Sequence, residues 1–200
     1  VGIDLKQGKN LLGAFYPPKL TLINPQFLET LDERTYNNGL AEMIKAGLIR
    51  DKKLYQYLLD HERVTMKEIE MAIHVKREVV LVDPLDMGER MLLNFGHTFG
   101  HAIEKKHHYD TYLHGEAISY GMLMALQIGI SIGKTDPSLY EEVKELLIQR
   151  KLVKEPLLDV NDYKDDILTD KKFFSDGLRF IIVSKPGHSE IIKLREGDLL

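Results

Sequence analysis

The densest group of side chains suited to metal or acid–base chemistry lies in NFGHTFGHAIE, residues 94–104. Its polar residues recur at steps of three and four, which places them on one face if the segment is helical. They are Asn94, His97, His101 and Glu104. Two histidines four residues apart on a helix can reach one metal ion or one bound water. The segment therefore predicts a chemically active helix face, although a solvated, histidine-rich face has the same pattern.

Two other segments supply residues of the same kind. His114, in LHGE, stands at the start of the most apolar predicted helix, where an unpaired imidazole would be costly to bury. In GLAEMIKAGLI, Glu42 and Lys45 share one helix face among apolar neighbours, which a surface ion pair would also explain. One Glu with two His is a ligand set of catalytic zinc, which keeps a coordination position open. Such a site suggests alcohol or alkoxide chemistry, or hydrolysis.

Basic residues in separate segments with polar surroundings suggest an anion pocket. They are Lys9, Lys76, Arg90, Lys171 and Lys172. Together they could bind a phosphate and a carboxylate. For any one of them, a solvated surface charge is the simpler interpretation.

Composition excludes several classes of protein. The 200 residues carry 27 Lys plus Arg against 31 Asp plus Glu, and the basic residues form no stripe, so a nucleic-acid partner is not expected. The absence of Cys excludes thiol ligands and disulfides and fits a cytoplasmic location. The longest uncharged stretch, residues 117–133, contains several polar residues, which favours a buried helix over a membrane span.

The remaining patterns predict a mainly helical fold with small β elements. Residues 1–24 read as a loop punctuated by Gly and Pro, followed by a short strand at Leu20–Ile23. Helical periods begin near Asp32, and TDPSLYEEVKELL from Thr135 has the capping residues of a helix start. Residues 178–183 and 189–194 flank KPGH and predict a C-terminal β-hairpin. Gly96 and Gly100 suggest close approach of another segment or a ligand.

Five sequence words occur in an order that resembles the 3-dehydroquinate synthase family: QGKNLLGAFYPP, GLAEMIKAGLI, ERMLLNFGHTFGHAIE, LHGEAISYGM and TDKK. The resemblance covers nearly the whole chain. It implies the multi-helical C-terminal domain of that fold over residues 25–200, preceded in residues 1–24 by a remnant of the nucleotide-binding half and the interdomain loop. The implied reaction is the NAD-assisted, zinc-dependent cyclisation of 3-deoxy-D-arabino-heptulosonate 7-phosphate to 3-dehydroquinate with loss of phosphate, in the shikimate pathway.

The resemblance also implies roles for individual residues. The metal ligands, for Zn²⁺ or Co²⁺, fall on Glu42, His97 and His114, and His101 matches the proton-handling histidine. Positions that contact substrate match Lys9, Asn10, Lys45, Lys76, Arg90, Asn94 and one of Lys171 and Lys172. Phe27, Thr30 and Leu31 resemble positions that contact the NAD.

No Gly-rich G-x-G-x-x-G turn occurs in the chain, so we expect the nucleotide-binding domain to lie outside this sequence and the isolated chain to be inactive. A homodimer is also expected. Three alternatives stay open: another sugar-phosphate cyclase of the superfamily, a metal-dependent polyol dehydrogenase of the same fold, and a non-catalytic helical module with a structural His cluster. The separate cations favour a phosphorylated acid over a neutral polyol.

Overall fold

The structure, a computed structural model, describes residues 2–5, 8–14, 16, 18–84, 88–168 and 178–198. The chain divides into two compact units, Val1–Thr30 and Leu31–Leu200. In the first unit, strand β1 (Gly2–Leu5) pairs antiparallel with β2 (Gly8–Gly13), and Pro25–Thr30 forms a 3-10 helix. The predicted domain division after residue 24 stays a prediction.

The predicted strand at Leu20–Ile23 is wrong, because residues 20–23 lie outside any strand. An alternating run forms a strand when one of its faces is buried against a partner. Leu20 and Leu22, which would share that face, are 72% and 86% exposed. The two leucine side chains are therefore not buried against a partner, as the face of a strand would be.

The second unit is helical with one β-hairpin, as predicted. Its helices are α1 (Glu33–Ile49), α2 (Lys52–Asp60), α3 (Met66–Val82), α4 (His97–Lys106), α5 (His114–Ser131), α6 (Pro137–Gln149) and α7 (Lys164–Leu168). Strands β3 (Leu178–Lys185) and β4 (His188–Leu194) pair antiparallel, from Leu178 with Leu194 to Lys185 with His188. Short 3-10 helices span Glu89–Asn94, Val160–Asp162 and Glu196–Asp198.

Side-chain caps begin several of these helices. The Asp32 carboxylate accepts a hydrogen bond from the Thr35 N–H at 3.0 Å, ahead of α1. Asp136 accepts from the Ser138 N–H at 2.8 Å, and Pro137 occupies the first helical position, where its missing N–H costs nothing. The helix start predicted after Thr135 is therefore confirmed.

Helix α5 forms the centre of the second unit and packs against α1, α4, α6 and β3. Residues 115–126 of this helix are buried without interruption, which confirms the buried helix expected from the longest uncharged stretch. Among the described residues, no helix has the length and apolarity needed to cross a membrane.

The contact between α4 and α5 explains the glycines of the histidine segment. A Cβ on Gly100 would lie 3.0 to 3.2 Å from atoms of Ile118, so the close approach predicted here is made by another segment of the protein. Gly96 has a φ of +79°, a left-handed conformation that few other residues adopt readily. The condition that the segment is helical therefore holds only from His97: the 3-10 helix ends at Asn94, Gly96 redirects the chain, and α4 begins at His97.

Candidate metal centre

Three side chains from three helices converge on one point. Oε1 of Glu42, on α1, lies 3.5 Å from Nε2 of His97 at the start of α4 and 3.4 Å from Nε2 of His114 at the start of α5. One ligand atom from each residue lies within 4.8 Å of the others, and this is the one group of three or more potential ligands that the described part of the chain contains. Ligand atoms around a tetrahedral zinc ion lie roughly 3.4 Å apart, because each is about 2.0 to 2.1 Å from the metal. The three residues therefore fit such an ion.

Both imidazoles present Nε2 to Glu42 because Nδ1 has another partner. Nδ1 of His97 lies 3.2 Å from the carbonyl oxygen of Phe95, and Nδ1 of His114 lies 3.2 Å from Oε1 of Glu104. The two rings meet edge to face, with centroids 5.2 Å apart. Acceptors at both Nδ1 atoms hold a proton there, which leaves Nε2 as the nitrogen that can bind a metal in place of its hydrogen bond to Glu42.

Glu42 uses its two oxygens for different partners. While Oε1 faces the histidines, Oε2 forms an ion pair with Nζ of Lys45, whose side chain is 6% exposed. Burial would raise the pKa of Glu42, but hydrogen bonds from His114 and His97 and the charge of Lys45 outweigh it and hold this pKa well below its usual value. Glu42 is therefore a carboxylate at neutral pH, the form that binds cations.

The charges around the cluster act on the other groups as well. The Glu42 carboxylate raises the pKa of His114; burial opposes this shift and Glu104 adds to it. Burial lowers the pKa of Lys45, Glu42 opposes the change, and the positive charge of Lys76 contributes to it. The exposed Lys76 on α3 thus lies close enough for its charge to act on Lys45.

A row of contacts between α1 and α5, which we call the α1–α5 clamp, sets the position of His114 relative to Glu42. Successive residues of α1 four apart contact successive residues of α5. Arg34 pairs with Glu116, and the Asn38 side-chain oxygen accepts from the Gly115 N–H at 2.5 Å. A Cβ on Gly115 would collide with the Asn38 backbone, so the two helices approach more closely than a side chain here would permit. The next step of the same row brings Glu42 to His114.

His101 lies beside the three converging residues. Its ring centroid is 5.4 Å from that of His97, one turn earlier on α4, and 6.4 Å from that of His114. The residue is exposed, whereas His97 and His114 are half-buried. This position suits a group that exchanges protons with solvent or substrate, since water can reach it.

Two other predicted substrate-contacting residues lie next to the start of α4. Arg90 donates from Nη1 to the Pro84 carbonyl at 2.9 Å, and its N–H donates to the Asp83 carboxylate at 3.1 Å. The same carboxylate accepts from the Gly88 N–H at 2.6 Å, so Asp83 holds the chain where it enters the 3-10 helix of Glu89–Asn94. Asn94 is exposed at the end of that helix.

The other predicted site residues belong to the first unit, to the start of the second unit or to the part of the chain that the structure does not describe. Lys171 and Lys172 lie outside the described residues. Lys9 and Asn10 belong to β2, and Phe27 and Thr30 to the 3-10 helix of the first unit, where Phe27 is 73% exposed. Leu31 begins the second unit and is 39% exposed.

Sequence reasoning assigned no role to Arg34 and Asn38, and it noted Glu104 without giving it a function. The spacing of Arg34, Asn38 and Glu42, four residues apart, was a usable signal, because such residues form one stripe along a helix. The sequence carries no comparable signal for the contact between Glu104 and His114, because no spacing pattern relates these two residues of different helices.

Comparison with known proteins places the chain among enzymes of one family. The family model described as 3-dehydroquinate synthase C-terminal matches residues 39–173, and the one described as 3-dehydroquinate synthase N-terminal matches residues 1–38. The 3-dehydroquinate synthase of Clostridium beijerinckii is 43% identical over 200 residues, covering 96% of this chain and 57% of the relative. That of Dictyoglomus turgidum is 36% identical and covers all of this chain and 59% of the relative. The chain thus spans a little over half the length of these curated relatives.

Solved structures share the fold. A 2-epi-5-epi-valiolone synthase from Streptomyces hygroscopicus subsp. jinggangensis 5008, with NAD+ and Zn²⁺ bound, aligns with a TM-score of 0.85 at 25% identity, over 99% of this chain and 58% of that one. A 2-deoxy-scyllo-inosose synthase complexed with carbaglucose-6-phosphate, NAD+ and Co²⁺ aligns with a TM-score of 0.75 at 23% identity, over 98% and 59% of the two chains.

Proposed function

Since this chain belongs to the 3-dehydroquinate synthase family, as its sequence words predicted, we propose that it is the metal- and substrate-binding part of such an enzyme. The reaction is the conversion of 3-deoxy-D-arabino-heptulosonate 7-phosphate to 3-dehydroquinate with loss of phosphate, a phosphorus–oxygen lyase reaction. The observation that carries the proposal is the approach of two imidazole Nε2 atoms to one oxygen of Glu42, at 3.5 and 3.4 Å.

Glu42, His97 and His114 are the proposed ligands of Zn²⁺ or Co²⁺, and NAD is the proposed second cofactor. The metal ions and NAD+ bound by the two cyclases of the same fold support this choice. When bound, the metal supplies Lewis-acid polarisation of substrate oxygens and NAD supplies reversible hydride transfer.

The chain's own side chains supply binding and proton transfer. Lys45 and Lys76 provide two positive charges near the cluster, suited to a phosphate or carboxylate of the substrate. His101 is the proposed proton-transfer residue, because an imidazole can act as a general acid or base and this residue is exposed beside the proposed ligands. Arg90, Asn94, Lys9, Asn10 and one of Lys171 and Lys172 complete the proposed substrate contacts, and Phe27, Thr30 and Leu31 the proposed NAD contacts.

A nucleotide-binding domain is the proposed partner of this chain, because the curated relatives are longer and no Gly-rich phosphate turn occurs here. Binding NAD without that domain forfeits the pyrophosphate contacts of a helix N-terminus. We therefore expect the isolated chain to bind zinc and to lack turnover. The homodimer and the cytoplasmic location stay predictions.

A rival function is that of another sugar-phosphate cyclase, supported by the fold shared with 2-epi-5-epi-valiolone synthase. The higher identity to 3-dehydroquinate synthases, 36% to 43%, favours the first function. Phosphate release from the seven-carbon substrate, measured with zinc and NAD on a version extended by a nucleotide-binding domain, decides between them. Activity only on other sugar phosphates would support the rival, and equal activity of the isolated and extended chains would refute the division of roles.

Metal binding is tested by calorimetric titration of the isolated chain with zinc. We expect one high-affinity site that His97→Ala abolishes. His74→Ala is a matched control, because His74 also has a glutamate partner, Glu78 at 3.1 Å, yet lies outside the cluster. A wild-type chain without stoichiometric binding would instead support a non-catalytic helical module.

A further inference from the structure

We propose that Glu104 is a positioning residue, which fixes the orientation and tautomer of His114 and thereby sets the affinity of the metal centre. Oε1 of Glu104, on α4, lies 3.2 Å from Nδ1 of His114, on α5. On the far side of the same ring, Nε2 lies 3.4 Å from Glu42. The ring is thus held between two carboxylates, one on the proposed metal side and one behind it. This inference rests on the proposed metal-binding function.

The burial of Glu104 gives the contact its significance. The residue is 4% exposed and follows the buried Ala102 and Ile103 in α4. Withdrawing a carboxylate from water is costly unless hydrogen bonds compensate, and a buried Glu is accordingly uncommon. A helix position that required only packing would be more stable with an apolar residue. The placement of this carboxylate against Nδ1 of His114 therefore indicates a role directed at that ring.

His97 offers an internal comparison. Its Nδ1 lies 3.2 Å from the Phe95 carbonyl oxygen, so a backbone acceptor orients that ring. For His114 the corresponding acceptor is a side-chain carboxyl oxygen, Oε1 of Glu104. A charged acceptor behind a ligating imidazole fixes its tautomer and makes Nε2 a stronger donor to a metal. Both histidines thus have an oxygen acceptor at Nδ1. For His97 that acceptor belongs to the backbone, and for His114 it belongs to a side chain.

The test is a zinc titration of Glu104→Ala and Glu104→Gln, combined with NMR detection of the ring nitrogen of His114 that carries the proton. We expect Glu104→Ala to weaken zinc binding by about 10- to 100-fold, the usual effect of losing such a partner. Glu104→Gln keeps an oxygen that accepts from Nδ1, so it should retain the tautomer and lose only part of the affinity. Glu68→Gln is the control, because Glu68 is similarly buried, at 2% exposed, and accepts its hydrogen bonds from Thr65, the residue that caps α3.

The outcomes separate the two proposals. Wild-type protein without stoichiometric zinc binding refutes the proposed function. Stoichiometric wild-type binding with unchanged affinity in Glu104→Ala overturns the role of Glu104 alone. A His114 proton on Nε2 in the zinc-loaded wild type would overturn that role and also remove this nitrogen from the proposed ligand set. If Glu104→Ala does not fold, Glu104→Gln decides: an affinity equal to that of wild type refutes the positioning role, and weaker binding with the tautomer retained supports it.

Discussion

Arg34 donates from Nε and Nη2 to the two carboxylate oxygens of Glu116, at 2.6 and 2.7 Å, and so joins α1 to the first turn of α5. Glu116 also accepts from the Leu113 N–H at 2.9 Å, at the residue that precedes α5. One carboxylate therefore both caps α5 and ties it to α1. Because His114 lies two residues from Glu116, this pair helps to hold the ring opposite Glu42.

Replacing Arg34 by Ala should destabilise the protein and weaken zinc binding. The Glu116 carboxylate, 9% exposed, would lose its charged partner, at a cost of about 1 to 3 kcal/mol. Chemical denaturation and zinc titration measure the two effects. Lys151→Ala is the control, since Lys151 pairs with Glu33 on the same helix but both side chains are more than 60% exposed, and such pairs contribute roughly 0 to 1 kcal/mol. Equal losses in the two variants would contradict the prediction.

Gly121→Ala should be severely destabilising. A methyl group at this position would overlap the Gly96 carbonyl oxygen and lie 2.8 Å from the Gly100 N, both backbone atoms of the segment that carries His97. Relief requires α4 and α5 to separate, which costs more than about 3 kcal/mol by comparison with other overpacked cores. The measurement is the free energy of unfolding in denaturant, together with zinc affinity if the variant folds.

Gly39→Ala provides the opposite expectation. Gly39 lies inside α1, and a Cβ there would meet no atom within 4 Å. The substitution should stabilise the protein by about 0.5 to 1 kcal/mol, because Ala loses less conformational entropy in a helix. A destabilised Gly39→Ala, or a neutral Gly121→Ala, would show that the helix contacts are not as described.

His101→Ala should retain zinc and lose turnover. The converging ligand atoms belong to Glu42, His97 and His114, so the affinity for zinc should change little. In a protein extended by the nucleotide-binding domain, turnover should fall by ~10²- to 10⁴-fold, as for a lost acid–base group. Calorimetry and phosphate release provide the two measurements. Loss of zinc in His101→Ala would move His101 into the ligand set.

The phenol of Tyr163 should ionise at a higher pH than an ordinary tyrosine, because its pKa is raised. Burial, followed by the neighbouring Tyr112 and Asp162, raises its pKa from 10.0 to about 12. Because the folded-state pKa is the higher one, the stabilisation from neutral Tyr163 is complete below pH 10.0 and is lost as the pH rises through about 12. The difference in phenolate absorbance between wild type and Tyr163→Phe should show a midpoint near the higher value.

This titration reports on the far end of α4. The Tyr163 hydroxyl lies 3.1 Å from Nε2 of His107, immediately after α4, and the Lys106 ammonium lies 4.7 Å from its ring centroid. A midpoint at the ordinary value would mean that this contact is open to solvent. These contacts would then not explain how the C-terminal end of α4, the end away from His97, is held in place.

Local chemistry made much of the second unit predictable from the sequence. The helix start at Asp136, the hairpin around Pro186 and the burial of α5 each follow from residues close together in the chain. The predicted strand at Leu20–Ile23 failed because a strand needs a distant partner. The helix does not extend back to Asn94, because Gly96 adopts a left-handed φ of +79°, and a Cβ there would lie within 3.0 Å of Met122 and Ile118 of α5.

The candidate site was likewise predictable from the sequence only in part. Its residue types, the spacing of His97 and His101, and the likeness to a known family are all properties of the sequence. The likeness to the family named Glu42, His97 and His114, but the residues alone left His97 and His101 as one possible pair. The structure brings His97 together with Glu42 and His114. Glu42 is separated from His97 by 55 residues and reaches it only because α1 and α4 both pack on α5. Contacts between helices depend on their relative positions, which are determined by the packing of the whole core.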